Sequence, residues 1–247
     1  MLCLWEIMPN TYPKTLLVAQ SKYQYILDPF AESLYPTIRD KNIDVILIHE
    51  NLNLPSWMTS YNVPYYGARA INECFAPNQR KYQVFGLIND DYLFRPEWFD
   101  DVLEKMRTYT CVSSGYVESH NTAKLDVAYE KTKNEEGIID GIFGSAFFFP
   151  AKLMRRIGLL DVNAEDWDDI DWYWRIKING FTGVTSKKIT TLHYGALTRK
   201  KQSHAEWKIH FDRELKGKED FIKKHGYESF RFLKNIYKGH SYFKQFK

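Results

Sequence analysis

Cysteine is scarce in this 247-residue chain: Cys3, Cys74 and Cys111 are the only three. They are too few and too scattered for a disulfide framework or a metal knuckle, and a reducing compartment fits them. Long apolar runs are missing too, since no stretch approaches the roughly 18 residues of a bilayer span. The first residues, Met1 to Met8, lack a basic segment and carry Glu6, which makes a poor signal peptide. The expectation is a soluble, cytoplasmic protein without a transmembrane segment. Excess charge is slight, with 34 Lys and Arg against 31 Asp and Glu and a net +3, too mild to argue for a nucleic-acid partner. No glycine-rich phosphate loop follows the first predicted strand, where Val18-Ala19-Gln20-Ser21-Lys22 stands. Internal repeats and low-complexity segments are also lacking.

Alternating strand and helix patterns are present, and 29.3 kDa is enough chain to bury a sizeable core, so the reading is one α/β domain. Leu16 to Ser21 and Asp44 to Asn51 read as the first two strands. Tyr82-Gln83-Val84-Phe85-Gly86-Leu87-Ile88 reads as a buried strand that breaks off into Asn89-Asp90-Asp91. An amide and two carboxylates therefore stand where a strand leaves its sheet, which is where open α/β sheets bind ligands. Adjacent carboxylates repel unless a cation or donor lies between them, and hard oxygen ligands suit Mg2+ or Mn2+ carrying a phosphate. An Asx turn opening the next helix is the simpler reading of the same residues.

A second acidic group is Glu165-Asp166-Trp167-Asp168-Asp169-Ile170-Asp171. Apolar residues at 167, 170, 174 and 178 keep helical spacing and Gly180 stops the run, so the acids sit at a helix entrance. Complementing the helix dipole accounts for one or two of them; the surplus points to a site that needs a base or a cation. Further on, the strand Ile189-Thr190-Thr191-Leu192 leads into His193. An imidazole there suits a transition metal, although a lone His after a strand is more often a satisfied structural residue.

In this order the three segments resemble family 2 glycosyltransferases with the GT-A fold, in which a strand ends in a D-x-D-like motif, a later helix opens with E-D-x-D-x-x-x-R, and a His follows the last core strand. The first motif is Asn89-Asp90-Asp91, continued by Tyr92-Leu93-Phe94-Arg95-Pro96-Glu97-Trp98-Phe99; the second is Asp168-Asp169-Ile170-Asp171-Trp172-Tyr173-Trp174-Arg175, with Asp168 where the family usually has Glu. Gly144 to Phe149 and Ile157-Gly158-Leu159-Leu160-Asp161 look like the family's acceptor-side strand and its glycine-then-aspartate turn, and Phe221 to Gly226 resembles a closing helix. The likeness covers about residues 15 to 228. It implies a single domain over 1–247: a Rossmann-like α/β/α sandwich with a mostly parallel central sheet. The nucleotide-sugar half would span 15–110, the acceptor half 111–228, and a basic tail 229–247.

At the start the match is poorer. The family's Pro-x-Tyr-Asn turn after the first strand and Asp-rich turn after the second are replaced by Gln20-Ser21 and His49-Glu50-Asn51, while Gly67-Ala68-Arg69-Ala70-Ile71-Asn72 matches the run that packs beside the nucleotide. The resemblance thus implies Gln20, Glu50, Arg69, Asn72, Asn89 and Asp90 on the donor, with UDP the expected carrier. It implies Asp91 and His193 on a cation, Mn2+ or Mg2+, and Asp169, six residues before Arg175, as catalytic base. An ordinary aspartate, with a pKa near about 3.9, is ionised at neutral pH and ready for that role. Attack opposite the departing diphosphate inverts the anomeric configuration. Partners would be a nucleotide sugar and a carbohydrate or other hydroxyl acceptor.

The acceptor side would hold Ser145, Asp168 and Trp167. Aromatic residues make up 16% of the chain, and sugar C–H faces stack on such rings; Trp167 is preferred because Trp174 lies on the apolar stripe and Trp172 packs against a neighbour. Residues 117–137, polar and charged, read as an acceptor loop, and Arg199-Lys200-Lys201 as a lid over a diphosphate. The Lys-rich end from Lys216 to Lys247 suits a solvated helical face, with docking on an anionic membrane surface as the other reading. Two other functions stay open: a sugar- or nucleotide-binding protein without turnover, and a nucleotidyltransferase, which would normally show the glycine-rich loop missing here.

Overall fold

The computed structural model describes residues 12–142, 146–164, 167–194 and 204–236. Strands β1 (Thr15–Gln20), β2 (Ile43–His49) and β4 (Val84–Asn89) are near-continuous apolar runs, the pattern of strands covered on both faces. Around them lie α1 (Gln24–Ile38), β3 (Met58–Asn62), α2 (Ala68–Phe75), β5 (Tyr92–Phe94), α3 (Trp98–Met106), β6 (Cys111–Glu118), α4 (Ala123–Thr132), β7 (Ile138–Asp140), β8 (Ala146–Pro150), α5 (Ala151–Ile157), α6 (Asp168–Ile178), β9 (Gly183–His193), α7 (His204–His225) and α8 (Tyr227–Ile236).

The strands form one nine-stranded sheet ordered β3-β2-β1-β4-β8-β6-β9-β5, with β7 beside β9. From the pairings, β1, β2, β3, β4, β6 and β9 run one way and β5, β7 and β8 the other. The mixed α/β fold with a mostly parallel central sheet is as expected. One core packs Phe75, Phe85, Phe149, Trp172 and Phe221 on one face, and a second packs Phe30, Trp98, Phe99 and Phe148 on the other. Gly86 sits where β4 and β8 cross this core: a Cβ there would lie 2.3 Å from Phe148 Cε1 and 2.7 Å from Leu17 Cδ2, so no larger residue fits without repacking.

Strand order reverses between β1 and β4. Their ends are in register, Gln20 beside Asn89, so the crevice at this switch point is bounded by Gln20-Ser21 and Asn89-Asp90-Asp91, the place where doubly wound sheets take ligands. Chain direction brings the acidic helix to the same end. β9 runs parallel to β6 from Gly183 opposite Cys111 to His193 opposite Glu118, and α6 ends at Ile178 shortly before β9 begins. With about 1.5 Å of rise per residue, α6 retraces the strand, and its first turn comes back toward the edge where β4, β6 and β9 finish.

Two segments differ from expectation. Residues 117–137 hold α4, anchored by buried Leu125 and by the Arg95 guanidinium, which stacks 3.9 Å over the Tyr129 ring and pairs with Asp126. The basic tail expected from 229 begins inside α8, whose Phe230 and Leu233 are buried in the core. Among the described residues no helix is long and apolar enough to cross a membrane.

Candidate functional site

After β4 the chain turns at Asp90-Asp91 and crosses as β5 to pair antiparallel with β9, Tyr92 opposite His193. That crossing carries Asp91 to His193: Nε2 of His193 lies 3.3 Å from Oδ2 of Asp91, and the Tyr194 N–H donates to the Asp91 carbonyl at 2.9 Å. The imidazole stacks on the Tyr92 ring, with centroids 4.7 Å apart, and Tyr116 meets it edge-on at 5.8 Å. Asp91 is 7% exposed, and its Oδ1 is buried with no hydrogen-bond partner among the described residues. A buried carboxylate oxygen without a donor is costly, and a cation is the simplest remedy.

Asp90 is buried beside it. Ser21 Oγ donates to Asp90 Oδ2 at 2.5 Å, tying the ends of β1 and β4 across the switch point. Burial pushes the Asp90 carboxyl up to about 7, with the negative Asp91 adding to the shift and the Ser21 hydrogen bond opposing it. The Gln20 side-chain oxygen accepts from the Gly67 N–H at 2.6 Å, where Gly67 takes φ 84° ahead of α2. Tyr66 donates to the Ser21 carbonyl at 3.3 Å. His49 accepts from the Leu52 N–H through Nδ1 at 3.1 Å, so its proton is on Nε2, which donates to Ser60 Oγ at 2.8 Å; burial lowers its pKa. That neutral histidine holds the turn through Asn51, at φ 55°, which leaves Glu50 exposed beyond β2.

No protein-family model and no curated protein sequence matches the chain. Solved structures do. A mannosyltransferase, PcManGT from Pyrobaculum calidifontis in complex with GDP-Man and Mn2+, matches with a TM-score of 0.60 at 14% identity, over 87% of this chain and 66% of its own. GalNAc-T7 with UDP, GalNAc and Mn2+ matches with a TM-score of 0.56 at 10% identity, over 74% of this chain and 44% of its own. The chain has the GT-A glycosyltransferase fold. It spans just under two thirds of the length of the first relative and less than half of the second, and identities this low carry the architecture while leaving residue roles to the geometry.

Within this GT-A fold the donor set at Asp91 and His193 fits a hard or borderline divalent cation: one buried carboxylate with an unpartnered oxygen, and one imidazole. Among the described residues no group of three or more His, Cys, Asp or Glu gathers to hold a metal, so a cation held by Asp91 and His193 would take the rest of its shell from water and phosphate. Mg2+ and Mn2+ at nucleotide sites are commonly held that way.

Asp168 and Asp169 open α6, Asp168 half-buried and Asp169 exposed; Asp169 Oδ1 accepts from the Ile170 N–H at 2.7 Å. Asp171, in the same turn, points inward instead. It accepts from Arg175 at 2.8 Å, Lys224 at 2.8 Å and His225 at 2.7 Å, so it docks α7 on α6. Arg175 extends the joint to the Ile157 and Leu159 carbonyls. Burial alone would raise the Asp171 pKa, but hydrogen bonds from Lys224 and His225 and the Arg175 charge hold it below the ordinary value.

Two expected contact residues are engaged elsewhere in the fold. Trp167 is fully buried, packed on Phe221 and Phe230 at centroid distances of 5.6 and 6.0 Å, and has no ring face for a sugar. Asn72 is a backbone clamp: its Nδ2 donates to the Leu160 carbonyl at 2.8 Å and its Oδ1 accepts from the Leu160 N–H at 3.0 Å. Arg69 is exposed, pairs with Glu73 at 3.2 Å and lies 4.8 Å over the Tyr65 ring; Asn89 is half-buried at the end of β4. Ser145 and the Arg199-Lys200-Lys201 run lie outside the described residues.

Ser21, Tyr92 and Tyr116 stand at the site without having been singled out from sequence, and Glu118 to His120 join them from the segment read as an acceptor loop. The Ser119 N–H donates to the His193 carbonyl at 3.0 Å, and the His120 and Tyr194 rings stack with centroids 6.4 Å apart. The serine following the first strand was a usable signal for Asp90; the Tyr92 and Tyr116 ring contacts to His193 depend on strand order and had none.

Proposed function

We propose that the chain is a metal-dependent, inverting glycosyltransferase of the family 2 type, moving a sugar from a nucleotide diphosphate to a hydroxyl of a carbohydrate or other acceptor. UDP is the first candidate carrier. The observation that carries this reading is the Asp91–His193 pair at the sheet's switch point, with one buried carboxylate oxygen lacking a hydrogen-bond partner among the described residues. Asp91 and His193 would hold Mn2+ or Mg2+, which when bound neutralises charge developing on the departing diphosphate.

The remaining chemistry belongs to the chain itself. Gln20 and Asp90, cross-linked to Gly67 and Ser21, present a rigid donor side with Asn89, Glu50 and Arg69 around it. Rigidity matters because a prepositioned donor removes orientational entropy from the transfer step. Asp169 is assigned as base: it accepts the proton of the attacking hydroxyl as that oxygen approaches the anomeric carbon. Its exposure at the first turn of α6 and its bond to the Ile170 N–H support a carboxylate open to an acceptor and held in direction. Attack from the face opposite the diphosphate gives inversion, and Asp168 lines the acceptor approach. A turnover assay with nucleotide sugars, Mn2+ and simple glycan acceptors tests the reading: product of inverted configuration supports it, and retained configuration removes Asp169 from the role of base.

A further inference from the structure

We propose that the outer face of α8, with the adjoining end of α6, is a docking surface for an anionic lipid bilayer. α8 turns Phe230 and Leu233 inward and leaves Tyr227 61% and Phe232 46% exposed. The Phe232 ring meets Trp174 edge-on with centroids 5.6 Å apart. One turn further along α6, on the Trp174 face, Ile178 is 57% exposed. Single exposed apolar residues need no explanation, but Phe232 against Trp174, with Ile178 on the same α6 face and exposed cations nearby, does.

The cations are there. Lys223 and Arg231 are exposed, and the Arg231 side chain meets Glu228 only at 3.4 Å with both well solvated. Residues 221–247 hold seven of the chain's 34 Lys and Arg and one of its 31 Asp and Glu, so this segment carries net +6 while the preceding 220 residues carry net −3. Past residue 236 the sequence continues with Tyr237, Lys238, Tyr242, Phe243, Lys244, Phe246 and Lys247 and no acid, the mixture of rings and cations favoured at a bilayer interface. A charge separation of this kind orients the molecule toward a negative surface, each cation near it contributing comparably. Ile178 and Phe232 favour a bilayer over a polynucleotide, since an aliphatic side chain gains by entering an acyl boundary and gains little against stacked bases. The surface is peripheral to the proposed reaction and independent of it.

The test is co-sedimentation of the full chain with vesicles of phosphatidylcholine alone and of phosphatidylcholine mixed with phosphatidylglycerol. Binding is expected to the mixed vesicles, to fall steeply as salt is raised, and to be weak to phosphatidylcholine. The double variant Lys223→Glu, Arg231→Glu should bind mixed vesicles at least roughly ten-fold less, and Phe232→Ser should weaken binding at unchanged charge. Thermal melts of all three proteins keep folding in view, since each substituted side chain is exposed. No pelleting with mixed vesicles at low salt, equal pelleting with neutral ones, or variants that bind as the parent does would each overturn the proposal, as would binding to an oligonucleotide alone.

Discussion

The His193 imidazole and the Asp91 carboxylate approach to 3.3 Å although Asp91 lies in the turn after β4 and His193 closes β9, because β5 turns back from β4 to pair with the last residues of β9. Replacing Asp91 by Ala removes the buried oxygen that has no partner among the described residues, and with it half of the proposed cation pair. Metal-dependent nucleotide binding in Asp91→Ala should weaken at least roughly ten-fold, a loss already typical for residues one shell further from a metal. Titration calorimetry with and without Mn2+ measures it; equal affinity in variant and parent would remove the metal assignment.

Asp169→Asn keeps the shape of the α6 entrance and removes the proton acceptor. Nucleotide affinity should stay within about two-fold of the parent while transfer falls by roughly 100-fold or more, the range general-base catalysis supplies. Transfer at the parent rate would place the base elsewhere.

The motifs at the strand and helix ends were readable because each is local: an apolar run ending in acids, and acids followed by apolar residues at helical spacing. What Trp167 and Asn72 do was not readable. Trp167 is covered by α7, and Asn72 is matched to Leu160 across the fold, so both roles exist only once distant segments have met. Helix α4 was missed for a different reason: a single buried residue, Leu125, anchors it, which gives a weak periodic signal.

Asn72→Ala tests the clamp to Leu160. Losing two hydrogen bonds to the Leu160 backbone should cost about 1 to 3 kcal/mol, read as a lower melting temperature, while nucleotide affinity stays within about two-fold. A large affinity loss in a protein of unchanged stability would return Asn72 to the donor site.

Gly217 lies in α7 against Trp167. A Cβ there would be 2.7 Å from Trp167 Cδ1 and 2.9 Å from the Ala164 carbonyl oxygen. Gly217→Ala gains about 1 kcal/mol of helix propensity, but overpacking against a backbone oxygen costs about 1 to 3 kcal/mol, so the net change should be destabilising. A rise in melting temperature would show that α7 shifts freely.

Asp171 links stability to pH. Its folded pKa lies below the ordinary carboxylate value of 3.8, so its contribution is fully present above that value and is lost as pH falls through the lower folded pKa. Asp171→Asn should lower stability at neutral pH by about 3 to 5 kcal/mol, because Lys224 and Arg175 lose their buried counter-charge. It should also flatten the acid limb below about pH 4. Melting temperature against pH for both proteins checks the sign: a variant whose acid limb stays as steep as the parent's would assign that limb to other carboxylates.

The proposed transfer depends on a metal-dependent nucleotide site at the switch point between β1 and β4. Calorimetric titration of the protein with UDP, GDP, dTDP and CDP, each in Mn2+ and in EDTA, tests it most directly. One nucleotide is expected to bind in Mn2+ and to lose that binding in EDTA. Absence of binding by all four, or binding of the same strength in EDTA, would contradict it.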